Sequence, residues 1–325
     1  MSRHQHPSNH GVLPPMYFPY LRGKQEEVLA VLQAPFLSRL TVPVFEPTST
    51  SDRTLNRWNR LVDLDRRFAL ITNSVNVAAD SSDSVSGFID GSSPDMVLPA
   101  LEVRANTMSN TIWTFVEEYC DRRCLIVHRN HVYSVDELAT YFEPIADEAI
   151  QVFSGPSAAH SLSRELPGRG RVALQDGFPH QTRNADFPPR TQFGDLLQTF
   201  GSRGFQGFGD FTIVGDRFLK GGGPANAVAL HLTEIAGGTV VTNHFKSDEP
   251  HISGDTPGKY SQALERLVEH TQDKSQFNTV GVHAFVDSWT RNHFPNLGPP
   301  KRWSILHHFE IMEREMSRMG LTPFF

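Results

Sequence analysis

The stretch MVLPALEVRANTMSNTIWTFVEEYCDRRCLIVH, residues 96–128, contains one complete copy of the pattern that decides the fold. It opens with the apolar run MVLPALEV, continues through the helical sequence SNTIWTFVEEYCD and ends in a second apolar run, CLIVH. Strands that alternate with helices pair in parallel through right-handed crossovers. Both runs are almost continuously apolar, which is typical of parallel strands covered on both faces. The stretch therefore predicts a β-α-β unit.

The same alternation extends in both directions along the chain. Eight apolar runs occur, at 16–21, 40–47, 67–73, 96–103, 124–128, 149–155, 171–177 and 209–215. Helical stretches separate most of them, but a long connection precedes the eighth and a Ser/Asp-rich connection (74–95) follows the third. Eight units predict an α/β fold of the (β/α)8 TIM-like barrel type. The alternative is an open, doubly wound sheet.

Further elements follow the eighth run. Two apolar segments flank Gly237–Gly238, and this pattern predicts a β-hairpin insertion over 225–246. We expect residues 1–15 to form a flexible tail and residues 16–278 to form the barrel with its hairpin. Residues 279–325 are expected to form a helical C-terminal extension packed on the barrel, interrupted by HFPNLGPP at 293–300.

Composition excludes several classes of protein. The 325 residues include 30 Lys and Arg against 36 Asp and Glu, a net charge of −6, and 38% are hydrophobic, so the chain is not disordered overall. No apolar run approaches the ~20 residues that span a bilayer. The N-terminus has no apolar core of a secretory signal. Two cysteines are too few for a disulfide framework or a four-cysteine zinc site. We expect a cytoplasmic protein that makes no membrane contact.

Polar side chains end most of the predicted strands. Ligands of β/α barrels bind at the carboxyl ends of the strands, so these residues are candidates for one shared pocket. They are Arg22, Lys24, Glu46, Asn73, Glu102, Arg104, His128 and Asp176, with Asp210 at the start of the eighth strand and Asp216 just beyond it. The alternative is ordinary solvated strand ends, with Glu46 forming an ion pair to Arg22 or Lys24.

The densest polar stretch is QDGFPHQTRNADFP, at 175–188. It places Asp176, Arg183, Asn184 and Asp186 in one loop, where two carboxylates, a guanidinium and an amide could hold a divalent cation and a phosphate. Phe178 and Phe187, in the same loop, could line the pocket or stack on a base. The alternative is an Arg–Asp pair that fixes a long loop. The glycine-rich segment 220–227 is either an anion-binding nest or a hinge.

These residues define a metal-assisted phosphoryl site as the enzymatic hypothesis. Glu46, Asp176, Arg183 and Asp186 are the catalytic candidates, and Glu46, Asp176 and Asp210 are the candidate ligands of Mg²⁺ or Mn²⁺. Substrate binding is assigned to six residues. They are Arg22, Lys24, Asn73, His128, Phe178 and Asn184.

Several motifs resemble the bacterial sce7725 family, which is similar to the phage-type beta family proteins. The motifs are MYFPYLRGKQEE (16–27), RVALQDGF (171–178) with RNADFP (183–188), GFGDFTIVGD (207–216), NHFKSD (243–248) and HFPNLGPPKRWSILHHFEIM (293–312). They span most of the chain in the same order. The extended N-terminal tail and the 74–95 loop depart from the family pattern.

The resemblance implies a component of a bacterial antiviral-defence or mobile-element module. Combined with the candidate residues, it favours a phosphodiester or nucleotide hydrolase whose site lies at the barrel mouth, with a nucleotide or nucleic-acid ligand. The alternative is a non-catalytic, ligand-sensing or regulatory partner of a nuclease-like protein encoded next to it. In that case the hairpin and the C-terminal helices would form the docking face.

Overall fold

The computed structural model describes residues 16–77, 82–130, 132–155, 162–217, 226–248 and 254–321. The tail predicted at 1–15 and most of the glycine-rich segment 220–227 lie outside these ranges.

A curled, nine-stranded parallel sheet forms the centre of the fold. Its strands are β1 Met16–Tyr17, β2 Tyr20–Leu21, β3 Val44–Phe45, β4 Phe68–Ile71, β5 Val97–Val103, β6 Cys124–His128, β7 Ala149–Ser154, β8 Gly170–Gln175 and β10 Gly207–Asp210. Their order in the sheet is β1-β10-β8-β7-β6-β5-β4-β3-β2. The predicted parallel α/β architecture is therefore confirmed.

The two strands at the ends of this order are consecutive in the chain. β1 pairs with β10 and β2 pairs with β3, and only Phe18 and Pro19 separate them. The Phe18 amide donates a hydrogen bond to the Phe208 carbonyl (2.8 Å), and the Val44 amide donates one to the Pro19 carbonyl (2.9 Å). One short segment thus bonds to both margins of the sheet, which explains why the sheet curls.

Side-chain alternation gives the sheet two apolar faces. The inner face carries one continuous cluster from all parts of the sheet. It comprises Met16, Phe18, Tyr20, Val42, Val44, Ala69, Ile71, Leu98, Ala100, Leu125, Val127, Ile150, Val152, Val172, Leu174 and Phe211. The outer face carries the alternate residues, such as Phe45, Phe68 and Ile126, which pack against the helices. Coverage of both faces explains the nearly continuous apolar runs in the sequence.

Helices pack on the outer face of this sheet and, near the C-terminus, on a second sheet. They are α1 Gln25–Leu32, α2 Asp52–Asp63, α3 Ser82–Asp90, α4 Ser109–Glu118, α5 Val135–Phe142, α6 Leu196–Thr199, α7 Thr256–Thr271, α8 Val280–Thr290 and α9 Gly298–Arg318. Short 3-10 helices occur at Glu143–Ile145, Asn184–Asp186 and Ser275–Phe277. Ser134 and Glu137 form a capping box at the start of α5, which satisfies two backbone amides of its first turn. Within the described ranges, no helix is long and apolar enough to span a membrane.

A second, antiparallel sheet packs beside the first. The predicted hairpin forms from β11 Ala229–Ala236 and β12 Thr239–Lys246, and both glycines of its turn have positive φ, 58° and 81°. Its third strand, β9 Arg190–Gly194, pairs with β12 and comes from the long connection, where the sequence predicted no element. The C-terminal helices α8 and α9 form as expected and pack on each other, and α9 also packs on β11 and on α1.

Two other elements differ from the sequence prediction. The eighth strand was placed at 209–215, but it runs from Gly207 to Asp210 and is followed by a turn in which Thr212 has φ 51°. The Ser/Asp-rich connection contains helix α3, whose Val85 and Ile89 are buried. Spaced four residues apart, these two side chains supply a narrow apolar stripe that the polar composition conceals.

Candidate functional site

Glu46 is the centre of a buried ion network at the carboxyl ends of the strands. Its side chain is inaccessible to solvent. One carboxylate oxygen pairs with Arg22 and accepts from the Tyr20 hydroxyl at 3.1 Å, and the other accepts from Asn76 at 2.6 Å and from Arg104 at 3.3 Å. Because Glu46 lies two residues beyond the inner-face residue Val44, alternation directs its side chain to the inner face.

Glu102 is the second carboxylate of this network. It lies 2.6 Å from an Arg104 nitrogen and 3.3 Å from Arg129 Nε, and the Tyr20 hydroxyl is 3.2 Å from its Oε1. Burial, followed by repulsion from Glu46, raises the pKa of Glu102. Burial and the same two carboxylates raise the pKa of Tyr20 well above its ordinary value, so the phenol keeps its proton as a donor.

Asp216 ties the segment after β10 into the network. Its Oδ1 is 2.8 Å from Arg22 Nη2 and 2.5 Å from Arg129 Nη2. Its backbone amide donates to Asp176 Oδ2 at 3.0 Å, and Asp176 also lies 2.8 Å from His180. Burial is the main cause that raises the pKa of Asp176.

We call Arg22, Arg104, Arg129, Glu46, Glu102 and Asp216 the mouth network. Its three cations balance its three anions.

A cavity of about 410 Å³ opens beside the mouth network, between the sheet, the hairpin and the start of α9. This is within the size range of small-ligand sites. Its lining includes four cationic side chains and one carboxylate. They are Arg22, Lys24, Arg217 and Lys301, with Glu27. The remaining wall carries apolar side chains and three uncharged polar ones. The polar ones are Asn184, His231 and Ser304.

Glu27 holds two of the cationic lining residues in place. It is fully buried, accepts from the Arg22 backbone amide at 2.7 Å and pairs with Lys301 at 2.8 Å. Burial and then repulsion from Lys301 lower the pKa of Lys24, with Arg22 adding to the repulsion. Lysine ammonium groups held this close to other cations favour an anion between them, because an anion relieves their repulsion.

The cavity-lining residue His231 belongs to a histidine pair. His231 Nδ1 and His244 Nδ1 are 2.8 Å apart, and His244 Nε2 is 2.8 Å from the Thr191 hydroxyl. Phe178 and Phe187 pack edge-on against the His231 ring, with centroid distances of 5.0 and 4.8 Å. Burial lowers the pKa of His231 to about 3 and that of His244 to about 4.

The predicted residues separate into those that reach the inner face and those that do not. Arg22 and Glu46 belong to the mouth network, Asp176 adjoins it, and Lys24 and Asn184 line the cavity. Asn73 instead exchanges hydrogen bonds of 2.8 and 2.9 Å with the Glu102 backbone. Arg183 and Asp186 form an ion pair near the surface. Phe178 is buried behind the histidines and does not line the cavity.

His128 and Asp210 face the outer layer. His128 bonds to Gln151 at 2.7 Å and stacks on Phe153. Asp210 accepts from the Tyr17 hydroxyl at 3.0 Å and lies 3.2 Å from His308 of α9. His128 follows the outer-face residue Ile126 by two positions, and Asp210 follows Phe208 in the same way. Because side chains alternate between the two faces of a strand, both point to the outer face and away from the mouth network.

The candidate metal ligands Glu46, Asp176 and Asp210 therefore do not converge. Both Glu46 oxygens are occupied by donors, and Asp210 lies on the opposite face of the sheet. In the ranges described, no group of three or more His, Cys, Asp or Glu side chains is arranged to hold a metal ion.

Four residues of the site were missed in the sequence. Three of them have no local signal in the sequence, and the fourth could have been found from side-chain alternation. Arg217, Lys301 and His231 reach the cavity from a loop, from α9 and from the hairpin, and no strand-end argument points to them. Arg129, however, continues the inner-face alternation of Leu125 and Val127. Continuing the two-residue alternation of β6 one step beyond its end identifies Arg129. The same step beyond β5 leads to Arg104, which is already among the strand-end candidates.

Comparisons of the chain with protein-family models, with curated proteins and with solved structures gave no significant match.

Proposed function

We propose that the protein binds a phosphate-bearing ligand, a nucleotide or phosphodiester, in the cavity beside the mouth network. The observation that carries this proposal is the concentration of Arg22, Lys24, Arg217 and Lys301 around one cavity with a single lining carboxylate. Guanidinium and ammonium groups are the side chains that recognise phosphate oxygens. Lys301 is positioned in advance by its pair with Glu27, so ligand binding costs little additional ordering.

The proposal includes a closed, eight-stranded (β/α)8 barrel as the scaffold of this site. It is supported by the hydrogen bonds that the segment of β1 and β2 forms to β10 on one side and to β3 on the other. In such a barrel the mouth network closes the carboxyl end of the apolar interior. The ligand then lies to one side of the barrel axis, where the hairpin and α9 complete the wall.

Hydrolysis of the bound ligand, with a Mg²⁺ or Mn²⁺ ion, is the enzymatic form of this proposal. The carboxylates of this site do not by themselves fit a divalent ion, because each one of the mouth network is paired with an arginine. Ligand phosphates would have to supply most of the metal's oxygen donors. A role in a bacterial antiviral-defence or mobile-element module agrees with a nucleotide ligand and rests on the family resemblance.

Isothermal titration calorimetry with inorganic pyrophosphate tests phosphate binding. Lys301→Gln should weaken binding about tenfold or more, because a charge-assisted hydrogen bond contributes roughly 1.5–3 kcal/mol. Lys274→Gln is the matched control, since Lys274 is exposed and lies outside the cavity. Equal affinity in wild type and Lys301→Gln, or no binding to wild type, would refute the proposal.

A second candidate function is the regulatory partner of a nuclease-like protein. It is favoured by exposed apolar side chains on α8, where Val286 and Trp289 are 36% and 46% exposed. Beside them lies a groove lined by Tyr260 and Phe294. Co-purification with the neighbouring gene product, lost in Trp289→Glu and kept in the wild type, is the expected result. Failure of the wild type to associate at micromolar concentration would contradict this function.

A further inference from the structure

His231 lines the cavity and uses one of its two ring nitrogens within the protein. Its Nδ1 is held by His244, and no protein group in the described residues hydrogen-bonds to its Nε2. The side chain lines the same cavity as the cationic residues. A polar nitrogen at a cavity wall, with its other nitrogen already satisfied, is suited to one further hydrogen bond with a bound molecule.

Hydrogen bonds connect Thr191, His244 and His231 in a chain, so the position of the proton on one ring determines its position on the other. If Thr191 donates to His244 Nε2, then His244 Nδ1 donates to His231 Nδ1, and His231 Nε2 carries a proton into the cavity. In the reverse arrangement His231 Nε2 is an acceptor. Both arrangements leave the two rings neutral. A hydroxyl group both donates and accepts from a single oxygen, so it suits either state without reorienting a larger group.

We propose that His231 Nε2 forms a hydroxyl-binding subsite, so that the ligand is a phosphorylated sugar, including the sugar phosphate of a nucleotide. This inference rests on the proposed phosphate binding and specifies what is attached to the phosphate. The cationic residues Lys24 and Lys301 would bind the phosphate, and His231 would bind a sugar hydroxyl in the same cavity.

Two further observations support a neutral role for this histidine. The lowered pKa values of His231 and His244 keep both rings uncharged at neutral pH. Phe178 and Phe187 hold the His231 ring in a fixed orientation, which lowers the entropy lost when a ligand hydroxyl is bound. A histidine intended for phosphate would instead benefit from a positive charge.

Calorimetric titration of ribose 5-phosphate and of inorganic pyrophosphate at pH 7.5 tests the subsite. His231→Asn keeps an amide near the position of Nδ1 but has nothing at Nε2. It should weaken ribose 5-phosphate binding about three- to tenfold, the range of one hydrogen bond. Its affinity for pyrophosphate should stay within twofold. His231→Gln, whose amide reaches the Nε2 position, should recover part of the lost affinity.

A second readout separates recognition from a structural effect. Ribose 5-phosphate should shift the ¹⁵N resonance of His231 Nε2 in the wild-type protein, and pyrophosphate should leave it in place. If His231→Asn weakens both ligands equally, or if the Nε2 resonance does not respond to ribose 5-phosphate, the subsite is refuted and phosphate binding still stands. If wild type binds neither molecule, the proposed function and the subsite both fail.

Discussion

Arg22 and Asp216 form an ion pair of 2.8 Å across 194 residues of sequence. Arg22 follows the first strand segment, and Asp216 follows the last strand of the main sheet. Their contact therefore joins the two ends of the β/α repeat at the mouth of the site. Arg22 also contacts Glu46 and lines the cavity, so the residue that helps close the fold also shapes the proposed ligand site.

Glu46→Gln should strongly destabilise the protein. The change leaves Arg22 buried with one carboxylate fewer, and breaking a buried pair typically costs about 3–5 kcal/mol. Asp65→Asn is the matched control, because the Arg39–Asp65 pair is 80% and 67% exposed and such pairs contribute ~0–1 kcal/mol. Urea unfolding measures both free energies. Similar small losses in the two variants would contradict the structural role of the mouth network.

Asp210→Asn should reduce stability and spare ligand binding. Asp210 accepts from Tyr17 and lies beside His308, so the change weakens charge-assisted hydrogen bonds that contribute roughly 1.5–3 kcal/mol each. Tyr17→Phe removes one of the same contacts and provides a comparison. Pyrophosphate affinity should remain within twofold in both variants. A loss of pyrophosphate affinity in Asp210→Asn, but not in Tyr17→Phe, would show that Asp210 contributes to ligand binding.

Stability should fall as the pH drops from about 7 towards 4. The folded pKa values of His231, His244 and His307 are about 3, 4 and 3, against 6.5 for an ordinary histidine. Between these values the unfolded chain binds more protons than the folded protein, so acid favours unfolding. Urea unfolding at pH 7 and pH 5 measures the loss. The double variant His231→Gln/His244→Gln should show a smaller loss of stability, and an unchanged loss would contradict the buried-histidine interpretation.

Pyrophosphate binding should weaken as salt increases. Lys24 and Lys301 are half-buried and Arg217 is exposed, so solvent ions can screen them. The Debye length shortens from ~10 Å at 0.1 M to ~3 Å at 1 M ionic strength. Titrations in 0.1 M and 1 M sodium chloride should differ at least severalfold in affinity. Lys301→Gln, with one cation fewer, should show a weaker salt dependence. Salt-independent binding would mean that contacts other than charge hold the ligand.

Much of the sheet could be predicted from the sequence because its strands are buried on both faces. CLIVH, for example, coincides with β6. The eighth strand could not be placed, since the apolar residues after Asp210 extend the run although they form a turn. The glycines of β10 mark the true strand: a Cβ at Gly209 would lie 2.3 Å from the Phe18 carbonyl oxygen, a close approach that only glycine permits.

The candidate site was predictable only where side-chain alternation continues past a strand. Glu46 and Arg22 were found because they end strands. His128 and Asp210 also end strands, but each is in register with the outer-face residues of its strand, so its side chain points to the outer layer. Lys301 and His231 enter the cavity through long-range packing of α9 and the hairpin. Local sequence carries no signal for such contacts, because they depend on how distant elements meet.

The most direct test of the central claim is a crystal structure of the protein grown with pyrophosphate. We expect the anion in the cavity beside Lys24 and Lys301, with ammonium-to-oxygen distances of roughly 2.7–2.9 Å as in charge-assisted hydrogen bonds. An empty cavity at saturating pyrophosphate, or an anion bound only elsewhere on the protein, would contradict the assignment of this cavity as a phosphate site.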